Sequence, residues 1–316
     1  MTAKPTSAAD ALAGVGRVRK PGYSRRRNIL PGILFLLPLV SGVLVFKAYG
    51  FGLNLWMSFT EAGAFGPATF IGLDNFRRLI GDSNFHQAVI NTSKFVVLGV
   101  PAIVIVALIA ALMLNVKIKT IGLFRTILFL PAVTLPVALY MGFSWIFNTD
   151  YGIVNGFVQM LGGQPVNWFG TNVGVTTVFI VVMTYASFSV PMLVLLAGLT
   201  QIPESYYEAA SIDGATPWKI FWHIKLPLLT PSIFYVATTN IITMFQMFSL
   251  VYIMLPESSA GMQFGQTIVH YYYQNAFVYS GSRGYAAALS IALFLMILII
   301  TGITFRLQKY WVTYDK

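Results

Sequence analysis

A run of about 18 or more apolar residues is long enough to cross the hydrocarbon core of a bilayer as a helix. Six stretches of this chain reach or approach that length: roughly 29 to 58, 90 to 114, 121 to 147, 173 to 199, 229 to 255 and 285 to 306. Hydrocarbon offers backbone N–H and C=O groups no partner, so each run must satisfy its own as a helix. The expected fold is therefore all-α: a polytopic membrane protein with six transmembrane helices. Composition agrees, with 57% of residues hydrophobic and only 9% charged against about 25% charged in ordinary soluble domains; one large buried core could also be this apolar, and the unbroken runs decide against it.

Other classes fall away on the same grounds. With no cysteine, the chain has no disulfide framework or thiolate metal site, and His86, His223 and His270 do not form a ligand cluster. A resident metal is not expected. The formal charge of +10 would suit nucleic acid if it formed a stripe on one domain. The basic residues lie instead in the N-terminal tail and between the apolar runs. Residues 1 to 28, with Lys4, Arg17, Arg19, Lys20, Arg25, Arg26 and Arg27, read as a disordered basic tail. They do not read as a cleavable signal, because the following apolar run begins late and continues too long. Residues 29 to 316 form the expected six-helix domain.

Lys and Arg in short loops set orientation. With the N-terminus in the cytoplasm, the inner segments hold the seven tail residues, Lys117, Lys119, Arg125, Lys219, Lys225, Arg306, Lys309 and Lys316. Lys47, Arg77, Arg78, Lys94 and Arg283 remain outside or within spans, so 15 of 20 basic residues support cytoplasmic termini. The outer loop from about 148 to 172 has no Lys or Arg, and Trp145, Tyr151 and Trp168 suit an interfacial aromatic belt. Lys47 interrupts the first run, where an ammonium costs about 2.5 to 3.5 kcal/mol on insertion scales. It either snorkels or pairs with another subunit, or it faces a polar cavity in a translocation path.

The inner loop at about 200 to 227 is long and amphipathic. Glu208, Ala209 and Ala210 favour helix, Gly214 permits a tight turn, and Pro217 suits the first turn of a second short helix. Pro227 marks the approach to the next span. A small-residue face at Ala209, Ala210 and Ala215 could enter a groove on a soluble partner and transmit its motion. By periodicity alone, the same segment could also rest on lipid.

The spacing of Glu208, Ala209, Ala210, Gly214, Ile224, Leu226 and Pro227 resembles the hallmark of bacterial ABC importer permeases: E-A-A, three residues, G, nine residues, I, one residue, L-P. Further similarity covers FIGLDNFRRLI, LFRTILFLPAVTLPVA, LAGLTQIP and RLQKYWVTYD, and resembles the first permease of carbohydrate-uptake systems. The resemblance implies a bacterial inner-membrane heterodimer with a sister permease, two copies of a cytoplasmic ATPase and an extracytoplasmic substrate-binding protein. It implies that Glu208 through Ala210, Asp213 through Ala215, Ile224, Leu226 and Pro227 couple this chain to the ATPase. ATP and Mg would be bound and ATP hydrolysed by those partners, since this chain has no G-x-x-x-x-G-K-[ST] phosphate loop. The chain itself would bind no cofactor and would not be an enzyme.

The resemblance also places substrate contacts on the helices flanking this loop, at Met183 to Val190 and Asn240 to Met247. Candidates there are Met183, Tyr185, Ser187, Asn240, Thr243, Met244, Gln246 and Met247, with Lys47 as a further one. Asn240, Thr243, Gln246 and Ser187 could bond sugar hydroxyls, and Tyr185, Phe245 and Phe248 could stack on sugar faces; the same polar residues could instead pack helices together. The expected cargo is a sugar or oligosaccharide. Glycerol phosphate or a glycerophosphodiester is the alternative, with Lys47 as its candidate charge. A secondary transporter ranks lower because no acid sits centrally in a span, and a membrane enzyme lacks a supporting constellation around Asp213 and His223. After FQMFSLVYIM the family commonly continues T-x-G-G-P, whereas this chain has Leu255 to Gly261, which leaves the outer turn open.

Overall fold

The computed structural model describes residues 29–63, 67–116, 118–279 and 283–313. The basic tail, Lys117 and Lys316 lie outside the described residues. The chain divides into two units, Met1–Leu53 and Asn54–Lys316. In the first, α1 (Ile29–Gly42) runs through a π-helical stretch, Val43–Ala48, into α2 (Tyr49–Ser58), which crosses the boundary. Lys47 lies in the π-helical stretch, whose last turn is closed by the Tyr49 N–H donating to Leu44 O.

The second unit continues with a two-stranded antiparallel ribbon, β1 (Thr60–Glu61) and β2 (Thr69–Phe70), in which Thr60 faces Phe70 and Glu61 faces Thr69. Then come α3 (Asp74–Gly81), α4 (Ser83–Leu114), α5 (Ile121–Val133), α6 (Pro136–Ile146) and α7 (Ile153–Met160). Next are α8 (Asn172–Ser187), α9 (Ser189–Gln201), α10 (Glu204–Ile212) and α11 (Pro217–Ile220). A π-helical turn, Phe221–Lys225, leads into α12 (Leu226–Phe245), followed by α13 (Ser249–Met254), α14 (Met262–Gly265) and α15 (Ile268–Tyr273). A last π-helical turn, Gln274–Val278, precedes α16 (Arg283–Trp311).

Among the described residues, four helices are long and apolar enough to span: Gly32–Ser58, Ser83–Leu114, Pro217–Phe245 and Arg283–Trp311. The count reaches six if α5 with α6, and α8 with α9, each make one broken span. The third and fourth apolar runs are therefore bent, by 95° and 53°, rather than straight. At the first bend, Thr134 and Leu135 are extended, with ψ of 138° and 120°, because Pro136 drives its predecessor out of the α region. At the second, Pro191 lacks the N–H that would bond Ser187 O, and its ring crowds that carbonyl.

The fifth span also differs from expectation. It starts at Pro217, well before 229, because the short helix after the turn fuses with it, and it stops at Phe245. The turn Phe221–Lys225, with the Leu226 N–H donating to Phe221 O, widens the helix just before Pro227. That relieves the clash a proline makes with the carbonyl four residues back, so Pro227 does not end the helix.

The core is built on α4. Phe95 is fully buried and tilted on Phe179 of α8 at 5.3 Å. Further along, Ala107, Ala110 and Ala111 receive Met192, Leu195 and Leu199 of α9 and Leu229 of α12. Small residues let these backbones approach, which is how helices gain contact area where lipid supplies no hydrophobic drive.

Asp82 ties the other end together. Its Oδ1 accepts from the Asn84 and Phe85 N–H groups, capping α4, and its Oδ2 accepts from the Tyr271 hydroxyl at 2.6 Å and from the Tyr285 hydroxyl. Burial acts to raise the Asp82 carboxyl, but the bonds from Tyr271, Tyr285, Asn84 and Phe85 outweigh it, so it titrates below the ordinary carboxylate range. A folded pKa below the unfolded one gives stability that is complete above about pH 4 and lost as pH falls through the folded value. Asp82→Asn is expected to lower stability by about 2 kcal/mol at neutral pH and to flatten the acid limb of thermal unfolding followed in detergent from pH 6 to 3. An unchanged acid limb would refute the role given to this carboxylate.

Candidate functional site

The segment at 200 to 227 folds into a corner. Helix α10 leaves Pro203 in extended backbone and has no buried residue. It ends in a Schellman turn: the Ala215 N–H donates to Ala210 O at 2.9 Å and the Gly214 N–H to Ser211 O at 3.1 Å. Gly214 has φ +72°, a conformation that glycine adopts at no steric cost. Thr216 then caps the next helix through its hydroxyl, which accepts from the Lys219 N–H, and Pro217 occupies the first turn. One glycine and one cap thus redirect the chain from α10 into the long helix Pro217–Phe245.

The motif residues divide by position. Glu208 and Ala209 are exposed on α10, with Ala210 half-buried. Asp213, Gly214 and Ala215 form the turn, and Ile224, Leu226 and Pro227 sit half-buried where the long helix begins. The Lys225 ammonium stands 5.4 Å over the Tyr207 ring, linking the back of α10 to that base. Ile212 is 87% exposed, with Tyr206, Trp218 and Trp222 also exposed around the corner. The corner presents the carboxylates of Glu204, Glu208 and Asp213, small residues and apolar side chains to its surroundings.

A cavity of about 390 Å³ lies where α5, α8, α9 and α12 meet. Ser187, Asn240 and Thr243 line it, with Tyr235 and Thr239 beside them and apolar residues such as Val190 and Val236 completing the wall. The Asn240 Nδ2 donates to Val236 O at 2.8 Å, and the Thr239 and Thr243 hydroxyls donate to Tyr235 O and Thr239 O. The two threonine donors and one of the two Asn240 amide N–H groups are thus used within the helix, and their oxygen lone pairs and the second amide N–H remain available. No Asp, Glu, Lys, Arg or His lines this cavity among the described residues. Ser189 fixes one wall by donating to Leu128 O at 2.8 Å.

The remaining candidates lie elsewhere. Met183 and Met244 are buried in the core cluster with Phe95 and Phe179. Tyr185 is edge-on to Phe143 at 5.4 Å. Gln246 and Met247 occupy the break after α12, where Met247 O accepts from the Thr267 hydroxyl at 2.8 Å. Lys47 belongs to the unit Met1–Leu53. Sequence reasoning missed Tyr235 and Thr239, although 235, 239 and 243 follow the i, i+4 rule for one helix face. That polar stripe was the available signal.

Residues 83–311 match the family described as binding-protein-dependent transport system inner membrane component. The chain is 34% identical over 277 residues to the arabinooligosaccharides transport system permease protein AraP of Bacillus subtilis (strain 168), covering 87% of each chain. It is 34% identical over 278 residues to the lactose transport system permease protein LacF of Rhizobium radiobacter, covering 87% of this chain and 92% of that one. Among solved structures, it resembles a bacterial ABC transporter involved in import of the acidic polysaccharide alginate, with a TM-score of 0.78 over 90% of this chain and 96% of that one. At 22% identity, that likeness concerns the fold. The chain belongs to the family of binding-protein-dependent transport system inner membrane components.

Proposed function

We propose that this chain is one of two sister permeases forming the path by which an ATP-driven importer moves a neutral sugar or oligosaccharide handed over by a binding protein. The observation carrying the substrate class is the central cavity, where Ser187, Thr239, Asn240 and Thr243 offer hydroxyl and amide groups without a charged side chain among the lining residues. A phosphate ester there would be desolvated without a cation from this chain, at a cost that neutral hydroxyls avoid. The transport system names of AraP and LacF agree with a saccharide.

In this reading both termini and the α10 corner face the cytoplasm, and the corner docks on one of two ATPase copies that bind ATP and Mg. Glu208 meets a basic or polar group at the rim of the ATPase groove. Import then requires ATP and the loaded binding protein to favour different states of the helices, through contacts that differ between those states. The test is ATP hydrolysis by the reconstituted complex with its binding protein and a ligand panel. A neutral oligosaccharide is expected to stimulate hydrolysis, and sn-glycerol 3-phosphate is not. Stimulation by the phosphate alone would overturn the substrate class.

A further inference from the structure

A second cavity, of about 520 Å³, opens where α3, the start of α4 and the segment 257–279 meet. It lies at the far end of the spanning helices from the α10 corner, because the 29 residues of Pro217–Phe245 rise about 43 Å between them. Its character differs from that of the central cavity. Gln274 and Asn275 line it although they are only 5% and 4% exposed. Gln266 Nε2 donates to Gln274 Oε1 at 2.6 Å, and Asn275 Nδ2 donates to Tyr271 O at 2.9 Å. The Tyr271 hydroxyl is held in turn by Asp82. Arg78 and Glu257 add one charge of each sign.

Buried amides that face a cavity lower stability unless something bonds them, and here they are held in place by neighbours. We propose that this cavity is a second saccharide site, holding a neutral sugar unit at the mouth of the path. The opposed Arg78 and Glu257 disfavour an ion of either sign, whereas fixed amides, a guanidinium and a carboxylate together match the alternating donors and acceptors of sugar hydroxyls. A protein loop fits less well, since interface hot spots seat aromatic or aliphatic anchors in apolar pockets, and Met262 is the one aliphatic side chain lining this cavity among the described residues. The volume lies within the range of about 300 to 1,000 Å³ seen for small-molecule sites.

This site rests on the reading of the cargo as a saccharide, and its test is separate from that reading. Saturation-transfer NMR on the full permease–ATPase complex in nanodiscs, without ATP or binding protein, would use maltotriose and arabinotriose as probes. The Asn240→Leu background weakens the central contact, so that the added changes read the far cavity. In it a saccharide signal is expected to persist and to weaken about tenfold on adding Gln266→Leu or Glu257→Ala. Glu257 is exposed, so its removal leaves the fold intact. The site is overturned if no signal persists with either sugar, or if neither added change weakens it. Failure of the cargo reading would appear instead as hydrolysis stimulated by glycerol phosphate alone.

Discussion

Gly214→Val is expected to reduce ATP-driven uptake to below about one-hundredth of wild type while the protein still folds and inserts. A Cβ at this position meets nothing within 4 Å, so the substitution causes no clash. The difficulty is conformational. Gly214 sits at φ +72°, where an L residue is disfavoured by about 1 to 2 kcal/mol and a β-branched one by more. Relief requires the turn to open, which breaks the bonds to Ser211 O and Ala210 O and changes the direction of α10. A helix that transmits rigid-body motion depends on its angle to the element that it drives. Gly214→Asn is expected to retain much of the activity, because asparagine tolerates the left-handed region. Uptake into proteoliposomes, with subunit co-purification as the assembly control, separates the two variants. Equal activity in both would show that the angle of the corner does not matter.

Asn240→Leu is expected to lower uptake at limiting substrate by about 10- to 100-fold, the equivalent of about 1.4 to 2.7 kcal/mol for a saccharide hydroxyl left without its partner. Stability should change little. The one hydrogen bond given by Asn240 goes to Val236 O of its own helix, and leucine has similar volume and higher helix propensity. The same assay with Thr239→Val should show a smaller loss, since a hydroxyl offers fewer bonding sites than an amide. If Asn240→Leu transports normally while Lys47→Met does not, the path runs elsewhere and the phosphate-bearing cargo gains support.

The membrane class was legible because unbroken apolar length is a property of residues taken in order. The corner was legible in part, since Gly214 permits the tight turn and Pro217 suits the first turn of the next helix, whereas the Thr216 cap emerged only from the structure. The bends were less so. Pro136 and Pro191 were visible, but a proline inside an apolar run can bend, break or merely curve a helix, and tertiary packing decides which. Pro227 shows the converse, since the π-helical turn before it carries the helix through. Met183 and Met244 shared segments with Ser187 and Asn240 but face the core, because segment-level similarity does not resolve a helix face. The polar cavity at the far end draws on α3, α4 and residues 257–279, which only tertiary structure brings together.

The central claim is that the α10 corner is where this permease meets its ATPase. The chain has no native cysteine, so a single introduced thiol reports its own surroundings. Ala209→Cys on α10 and Ser258→Cys at the far end, both exposed, can each be tested for disulfide cross-linking in the assembled complex to an ATPase carrying one cysteine in its membrane-facing groove. The account predicts a cross-linked permease–ATPase product from Ala209→Cys, changing in yield when ATP is added, and none from Ser258→Cys. Absence of a product from Ala209→Cys in a complex that still transports, or a product from Ser258→Cys, would contradict it.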